Sequence, residues 1–195
     1  RELFKGLYID STDYDWKEYP VIHIDFSDIT YNSTEGLKDK IRNNLLFIAG
    51  VYGVILPDFY DYDEAFKFLI IELAKREKVV VLIDEYDSLL NSNINNENIE
   101  GIREVLRGFY SVLKASSANI RFCFITGVTK FSKMSIFSSM NNLVDISMSD
   151  EYSTMLGYTQ KELEENFSEY IEKAVKENKK NREEYLAQIK RWYDG

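Results

Sequence analysis

The hydrophobic pattern of the chain alternates between short apolar runs and longer amphipathic stretches. Two apolar runs, at residues 79–83 and 122–125, and one alternating segment, at residues 21–28 with His23 and Asp25 on one face, are typical of strands. Between and after these runs, apolar residues recur every three or four positions, which is the spacing of one helix face. Strands that alternate with helices in this way predict an α/β fold built on a parallel sheet.

The amphipathic stretches predict five longer helices and two shorter elements. Asp61 is expected to cap the second helix, and Thr159 with Glu162 forms the capping box of the fourth. A short helix at Met134–Met140 and a short final strand at Leu143–Ser147 complete the pattern. The sequence thus predicts an α/β core over residues 1–150 and a helical appendage over residues 151–195. The longer helices are expected near residues 34–49, 61–76, 99–116, 159–174 and 182–192.

The run Val79–Ile83 leads directly into two acidic residues, Asp84 and Glu85. An apolar run of this kind suits a strand that is buried on both faces of a parallel sheet. Burying each Val, Leu or Ile contributes roughly 1.5–3 kcal/mol, whereas removing an unpaired carboxylate from water costs several kcal/mol. We therefore expect both acids at the carboxyl edge of the sheet, where open parallel sheets bind their ligands.

Composition limits the classes of function that this pattern can serve. The chain has 195 residues, 45% of them hydrophobic, which is enough for a sizeable core. A formal net charge of −9 argues against a surface that binds nucleic acid by charge, so any such contact would be indirect. The single cysteine, Cys123, excludes an internal disulfide framework and favours the cytoplasm. No apolar run approaches the roughly 20 residues of a membrane span.

An apolar strand that ends in Asp-Glu is also the Walker B pattern of P-loop ATPases. There the aspartate, here Asp84, holds Mg²⁺, usually through water, and the glutamate, here Glu85, polarises the water that attacks the γ-phosphate of ATP. The alternative interpretation is an ordinary strand followed by an acidic turn. The next strand, which ends at Thr126, bears on this choice.

Thr126 follows the apolar run of the third strand about 40 residues after Asp84. This is the position of sensor 1 in such ATPases, a polar side chain near the γ-phosphate, and Thr129 or Lys130 would take it if the strand were longer. Two arginines on the third helix, Arg103 and Arg107, could approach a phosphate or a neighbouring subunit. Pairing with glutamates along the same helix surface is the interpretation that we favour for them.

Eight short segments, in order along nearly the whole chain, resemble the predicted AAA-ATPase-like family of bacteria and some anaerobic fungi. The resemblance implies a P-loop NTPase-type sheet that binds ATP and Mg²⁺, with Asp84 as metal ligand and Glu85 and Thr126 as catalytic residues. It also implies a PD-(D/E)XK nuclease-like domain in the same protein. The segments are FKGL (4–7), YPVIHIDFS (19–27), VVLIDEYD (80–87), FITGVTKFS (124–132), SIF (135–137), NNL (141–143), LGYT (156–159) and WYDG (192–195).

The chain departs from the family pattern because it contains no Gly-Lys-Ser phosphate loop. The resemblance implies that this loop and its strand precede Arg1, so we expect the chain to be the middle of a larger protein, called the parent protein below. Its sheet order would be five-one-four-three-two, with strand one beside the strand Phe122–Ile125. Without strand one, we expect the exposed edge to be covered by a shifted Leu143–Ser147, by the N-terminal segment or by a second copy of the chain.

Two classes of function remain open from the sequence. In the first, the parent protein hydrolyses Mg-ATP, whereas this chain alone is inactive. In the second, it is a nucleotide-dependent switch, or a scaffold for the nuclease-like domain, with little turnover.

Overall fold

The computed structural model describes residues 1–31, 33–95, 97–128 and 143–193. Within these residues it is an α/β structure with a three-stranded parallel sheet and seven α-helices. The chain divides into two compact units, Arg1–Asn142 and Leu143–Gly195. The division after residue 150 that the sequence suggested stays a prediction. The predicted helix at Met134–Met140 lies outside the described residues.

The sheet contains the three predicted strands, β1 (Val21–Asp25), β2 (Val79–Asp84) and β3 (Ile120–Ile125), in the order β1-β2-β3. All pairings are parallel, and Asp25 is the register partner of Asp84. The sheet therefore has one carboxyl edge, and all three strands end there. The α/β class and the parallel sheet are confirmed.

Four helices connect the strands of the first unit: α1 (Thr34–Val51), α2 (Tyr62–Ala74), α3 (Ser88–Asn91) and α4 (Ile99–Ala115). The predicted N-cap Asp61 is confirmed at the start of α2, and Glu64 bonds back to the Asp61 N–H, which completes a capping box that the sequence analysis did not predict. The short α3 was missed, because its four residues are too few to show a helical period.

The core lies between one face of the sheet and the helices α1, α2 and α4. Phe109 of α4 stacks on Phe66 of α2 with ring centroids 4.5 Å apart, and it meets Phe26 edge-on at 5.5 Å. The opposite face of β2 carries Val80 and Leu82, which are half-buried. The expectation of a strand buried on both faces is thus met on one face in full and on the other in part. The sheet residues of the buried face are Ile22, Ile24, Val79, Val81 and Ile83.

Among the described residues, no strand pairs with the outer edge of β3. The predicted strand at Leu143–Ser147 is wrong, since this segment has no strand geometry and Val144 is 83% exposed. Its alternating pattern resembles a strand locally, but a strand forms only where a neighbour supplies hydrogen bonds. Residues 1–19 also contain no strand, although the Arg121 guanidinium on β3 lies 5.9 Å from the ring centroid of Tyr19.

The second unit contains α5 (Gln160–Asn166), α6 (Ser168–Asn178) and α7 (Arg182–Tyr193). The predicted capping box of Thr159 and Glu162 opens α5. The single helix predicted over residues 159–174 is interrupted at Phe167, whose ring packs edge-on against Tyr158 with centroids 5.2 Å apart. No helix in the described part of the chain has the length and apolar character that crossing a membrane requires.

Candidate functional site

The exits of β2 and β3 are joined beyond the last paired residues of the strands. The Thr126 N–H donates to the Ile83 carbonyl at 2.9 Å, and the Tyr86 N–H donates to the Thr126 carbonyl at 3.0 Å. Because parallel strands end at the same edge, these bonds place the turn after β2 against the segment after β3. The candidate residues Asp84, Glu85 and Thr126 therefore lie at one edge of the sheet.

The carboxylate of Asp84 is held through one of its two oxygens. Its Oδ1 accepts a hydrogen bond from the Glu85 N–H at 3.0 Å and another from the Thr126 hydroxyl. Its Oδ2 accepts no hydrogen bond from any described residue, and the side chain is exposed. One oxygen thus fixes the orientation of the carboxylate, and the other faces outward from these contacts and is available to a ligand.

Glu85 has a backbone conformation that an L-residue rarely adopts, with φ of +48°. Such a conformation costs on the order of 1–3 kcal/mol and occurs most often at functional sites. Its carbonyl accepts from the Ser88 N–H at 2.9 Å, which holds the turn, while no described residue donates to its exposed carboxylate. The structure therefore presents an exposed carboxylate beside Asp84 on a constrained turn.

A second aspartate ends the neighbouring strand. Asp25 is the register partner of Asp84, and its Oδ1 accepts from the Ser27 N–H at 2.8 Å and the Ser27 hydroxyl at 2.7 Å. The sequence pattern places Asp25 on a strand face and predicts no role for it. The signal that could have identified it is the same as for Asp84, an acid at the end of an apolar strand.

Magnesium prefers oxygen ligands and keeps several water molecules when it binds to proteins. The described residues contain no group of three or more His, Cys, Asp or Glu side chains placed to hold a metal ion. The outward Oδ2 of Asp84 fits one ligand position, direct or through water, and phosphate oxygens and water would have to supply the others. The donor set thus fits Mg²⁺ that arrives with a nucleotide.

The other candidate functional residues make no described contact with Asp84, Glu85 or Thr126. Burial raises the pKa of Cys123 to about 11, so its thiol stays protonated at neutral pH and is a poor nucleophile. Arg103 donates to Glu100 one turn away on α4, in agreement with the surface-pairing interpretation. The alternative sensor residues Thr129 and Lys130 lie outside the described residues.

Sequence reasoning missed how closely the segment after β3 approaches the turn after β2. A Cβ on Gly127 would lie 2.5 Å from ring atoms of Tyr86 and 2.6 Å from Oδ1 of Asp87. No pattern in the sequence reveals this contact, since it joins residues that are 40 positions apart. Only glycine fits there without a shift of its neighbours.

We expect Gly127→Ala to destabilise the fold by about 1–3 kcal/mol, because the added methyl group overlaps the Tyr86 ring and the Asp87 carboxylate. Urea denaturation of the 195-residue chain measures this change. The matched control is Gly50→Ala in α1, where a Cβ meets no atom within 4 Å. That substitution should stabilise the chain by roughly 0.5–1 kcal/mol through helix propensity. Wild-type stability of the Gly127→Ala chain would show that the two segments are further apart.

Comparison with family models identifies one family for this chain. Residues 1–137 match the sequence model of a family described as predicted AAA-ATPases. The "uncharacterized protein in vnfD 5′ region" of Azotobacter chroococcum mcd 1 is 35% identical over 197 residues, which cover 99% of this chain and 36% of that protein. The chain thus spans little more than a third of this relative's length. No solved structure matches the chain significantly.

Proposed function

This chain belongs to the family of predicted AAA-ATPases, and on that premise we propose that its sheet edge forms the metal- and water-binding half of an ATP-hydrolysing site. The observation that carries the proposal is the hydrogen bond from the Thr126 hydroxyl to Asp84, beside the exposed Glu85 carboxylate, to which no described residue donates. These residues come from two strand ends that are 42 positions apart, and both ends lie at the ligand-binding edge of a parallel sheet.

Each of the three side chains takes a defined part in this proposal. Asp84 binds the metal through Oδ2, while the Glu85 N–H and the Thr126 hydroxyl fix Oδ1. Glu85 accepts a hydrogen bond from the attacking water, which its exposed carboxylate permits. Thr126 lies next to the metal ligand and reports the presence of the terminal phosphate by exchanging its hydrogen bond from Asp84 to a phosphate oxygen.

Magnesium supplies the positive charge that offsets the charge developing on the phosphates during transfer. The chain's own residues contribute position and proton acceptance at this edge. A phosphate loop is the part of the site that the chain does not contain, and we propose that the parent protein supplies it together with the first strand of a P-loop NTPase-type sheet. Hydrolysis is therefore proposed for the parent protein.

The isolated 195-residue chain is expected to bind Mg-ATP no more tightly than about 1 mM, a binding free energy of about −4 kcal/mol. The reason is that a phosphate loop normally supplies the backbone N–H groups and the lysine that hold the β- and γ-phosphates. Isothermal titration calorimetry measures the affinity directly. Asp84→Ala serves as the control for binding at the proposed edge, since it removes the metal ligand. A micromolar affinity would mean that other residues of this chain form a complete nucleotide site.

A nucleotide-dependent switch, or a scaffold for a nuclease-like domain of the parent protein, is the alternative proposal. Both classes use the same Asp84 and Thr126 contacts, and they differ in the turnover that Glu85 supports. The expected cytoplasmic location, from the single Cys123, and the absence of direct nucleic-acid binding, from the net charge of −9, apply to both.

Self-association is proposed for the chain when it is expressed alone, through the outer edge of β3. No described strand pairs with this edge, and Phe122 on β3 is 52% exposed. An apolar strand with unpaired backbone groups is a template for another strand. Sedimentation at increasing concentration should reveal a dimer, and Phe122→Lys should shift it toward monomer. A chain that stays monomeric at every concentration would exclude this contact.

A further inference from the structure

Asp87 is unusual for a charged residue because it is almost completely buried. Its exposed fraction is 1%, and no other charged residue in the described part of the chain is buried. Aspartate is rarely buried to this extent unless hydrogen bonds compensate for the loss of water. Asp87 lies three residues after Asp84, in the turn that carries Glu85, so its contacts bear directly on the site.

Capping of α3 does not explain the burial of this carboxylate. Asp87 occupies the N-cap position of α3, where an aspartate side chain commonly accepts a hydrogen bond from the helix. Its side chain makes no such capping bond. The carboxylate is directed to other groups.

The two oxygens of Asp87 connect two separate segments of the chain. Oδ2 accepts from the Asn91 side-chain amide on α3 at 2.8 Å, and Oδ1 accepts from the Val128 N–H after β3 at 3.2 Å. Gly127 allows this approach, since a Cβ there would lie 2.6 Å from Oδ1. The carboxylate thus bridges α3 and the segment that follows the third strand.

We propose that Asp87 is a positioning residue, which holds the segment 126–128 against the turn after β2 and keeps the Thr126 hydroxyl on Asp84. After Thr126 in the chain, the Val128 N–H donates to the Asp87 carboxylate. The Thr126 N–H itself donates to the Ile83 carbonyl of β2, at the end of the strand pairing. The Thr126 side chain is therefore held from both directions. Hydrogen bonds to a charged acceptor are stronger than neutral ones, which is a reason for a carboxylate at this position.

The geometric part of this proposal stands independently of any reaction. Its catalytic part, that Asp87 sets the position of Thr126 for ATP hydrolysis, rests on the function proposed above. The experiments therefore begin with a measurement on the 195-residue chain that needs no nucleotide, and they continue with turnover by the parent protein.

Amide hydrogen exchange, measured by NMR, tests the bridge. Asp87→Ala removes both carboxylate oxygens, so the Val128 N–H and the Asn91 side-chain amide both lose their acceptor. We expect exchange at the Val128 N–H to become about tenfold faster, and exchange at Tyr86 to rise as well. The Thr126 N–H is the internal control and should stay protected, because it donates to Ile83 within the strand ladder.

A reciprocal exchange of side chains supplies the rescue. In Asp87→Asn/Asn91→Asp, the new amide at position 87 can accept from the Val128 N–H and donate to the carboxylate at position 91. Protection at Val128 should return to within about twofold of wild type. Asn91→Asp alone places two carboxylates together and should speed exchange, which keeps the test decisive if Asp87→Ala does not fold. Ser116→Ala, a change at another buried polar side chain, should leave Val128 unaffected.

Turnover by the parent protein tests the catalytic part. Asp87→Ala should lower kcat about tenfold with little change in KM for Mg-ATP, because the carboxylate is buried and binds only protein groups. In a Thr126→Val background the same substitution should have no further effect, since Asp87 acts through Thr126. The reciprocal double variant should restore kcat.

Each outcome bears on a distinct part of the proposal. Unchanged exchange at Val128 in Asp87→Ala would overturn the bridge itself, whatever the parent protein hydrolyses. Loss of kcat that adds to the Thr126→Val effect would overturn positioning through Thr126. A wild-type parent protein without ATPase activity would overturn the proposed function, whereas faster exchange at Val128 would still support Asp87 as the residue that holds the segment.

Discussion

Replacement of Glu85 by glutamine is expected to lower the kcat of the parent protein for ATP by at least about 100-fold, because positioned general bases contribute roughly 10²–10⁴-fold. The substitution keeps the shape of the side chain and removes its ability to accept a proton from the attacking water. Affinity for Mg-ATP should change less than about twofold, since the proposed metal ligand Asp84 is intact. Phosphate release measures kcat, and equilibrium nucleotide binding on the same preparation measures the affinity for Mg-ATP.

Two further variants make this result specific to the mechanism. Asp84→Ala removes the metal ligand and the acceptor for the Thr126 hydroxyl, so it should weaken Mg-ATP binding as well as turnover. Glu104→Gln, at an exposed glutamate of α4 without a hydrogen bond from the described residues, is the matched control and should leave both unchanged. Normal hydrolysis by the Glu85→Gln protein would remove Glu85 from the mechanism and favour the switch or scaffold class.

Local sequence patterns identified the elements that form the sheet edge. The run Val79–Ile83 predicted a strand because burying consecutive apolar side chains is favourable. Asp84 marked the end of the strand because its carboxylate is costly to bury. The helix α2 was predicted from its three- and four-residue apolar spacing and from Asp61 at its start. These features depend on residues close together in the chain, so they can be identified without the structure.

Elements that depend on distant partners were predicted less well. The segment Leu143–Ser147 has the alternation of a strand but no strand geometry, because pairing requires a neighbour that the local sequence does not specify. The interruption at Phe167 has no glycine or proline signal, and it coincides with the packing of its ring on Tyr158. Tertiary contacts override local propensity in both cases.

The candidate site shows the same division. Asp84, Glu85 and Thr126 were identified from the ends of their strands, which the topology brings to one edge. Asp87 and Gly127 were not singled out, because burial of the first and the close approach at the second arise only when the two segments meet. Sequence patterns therefore find the side chains that face a ligand more readily than those that hold them in place.

Phe109→Ala is expected to destabilise the 195-residue chain by about 3–5 kcal/mol, the usual cost of removing a large buried aromatic side chain. Phe109 is 0% exposed, and its ring contacts Phe26 and Phe66 in the core. Partial collapse of neighbours into the cavity would place the cost at the lower end of this range. The midpoint and slope of a urea denaturation curve measure the change.

The same substitution should also disturb the site, because Phe26 connects this core to the sheet edge. The Phe26 N–H donates to the Asp84 carbonyl at 3.1 Å. A Phe26 ring that moves toward the cavity should therefore shift the backbone of Asp84, the proposed metal ligand. The matched control is Phe47→Ala on α1, whose side chain is 74% exposed and which should change stability by less than about 0.5 kcal/mol. Amide exchange at Phe26 should become faster in Phe109→Ala and stay unchanged in the control. Equal stability of the two variants would show that Phe109 does not support the core beneath the site.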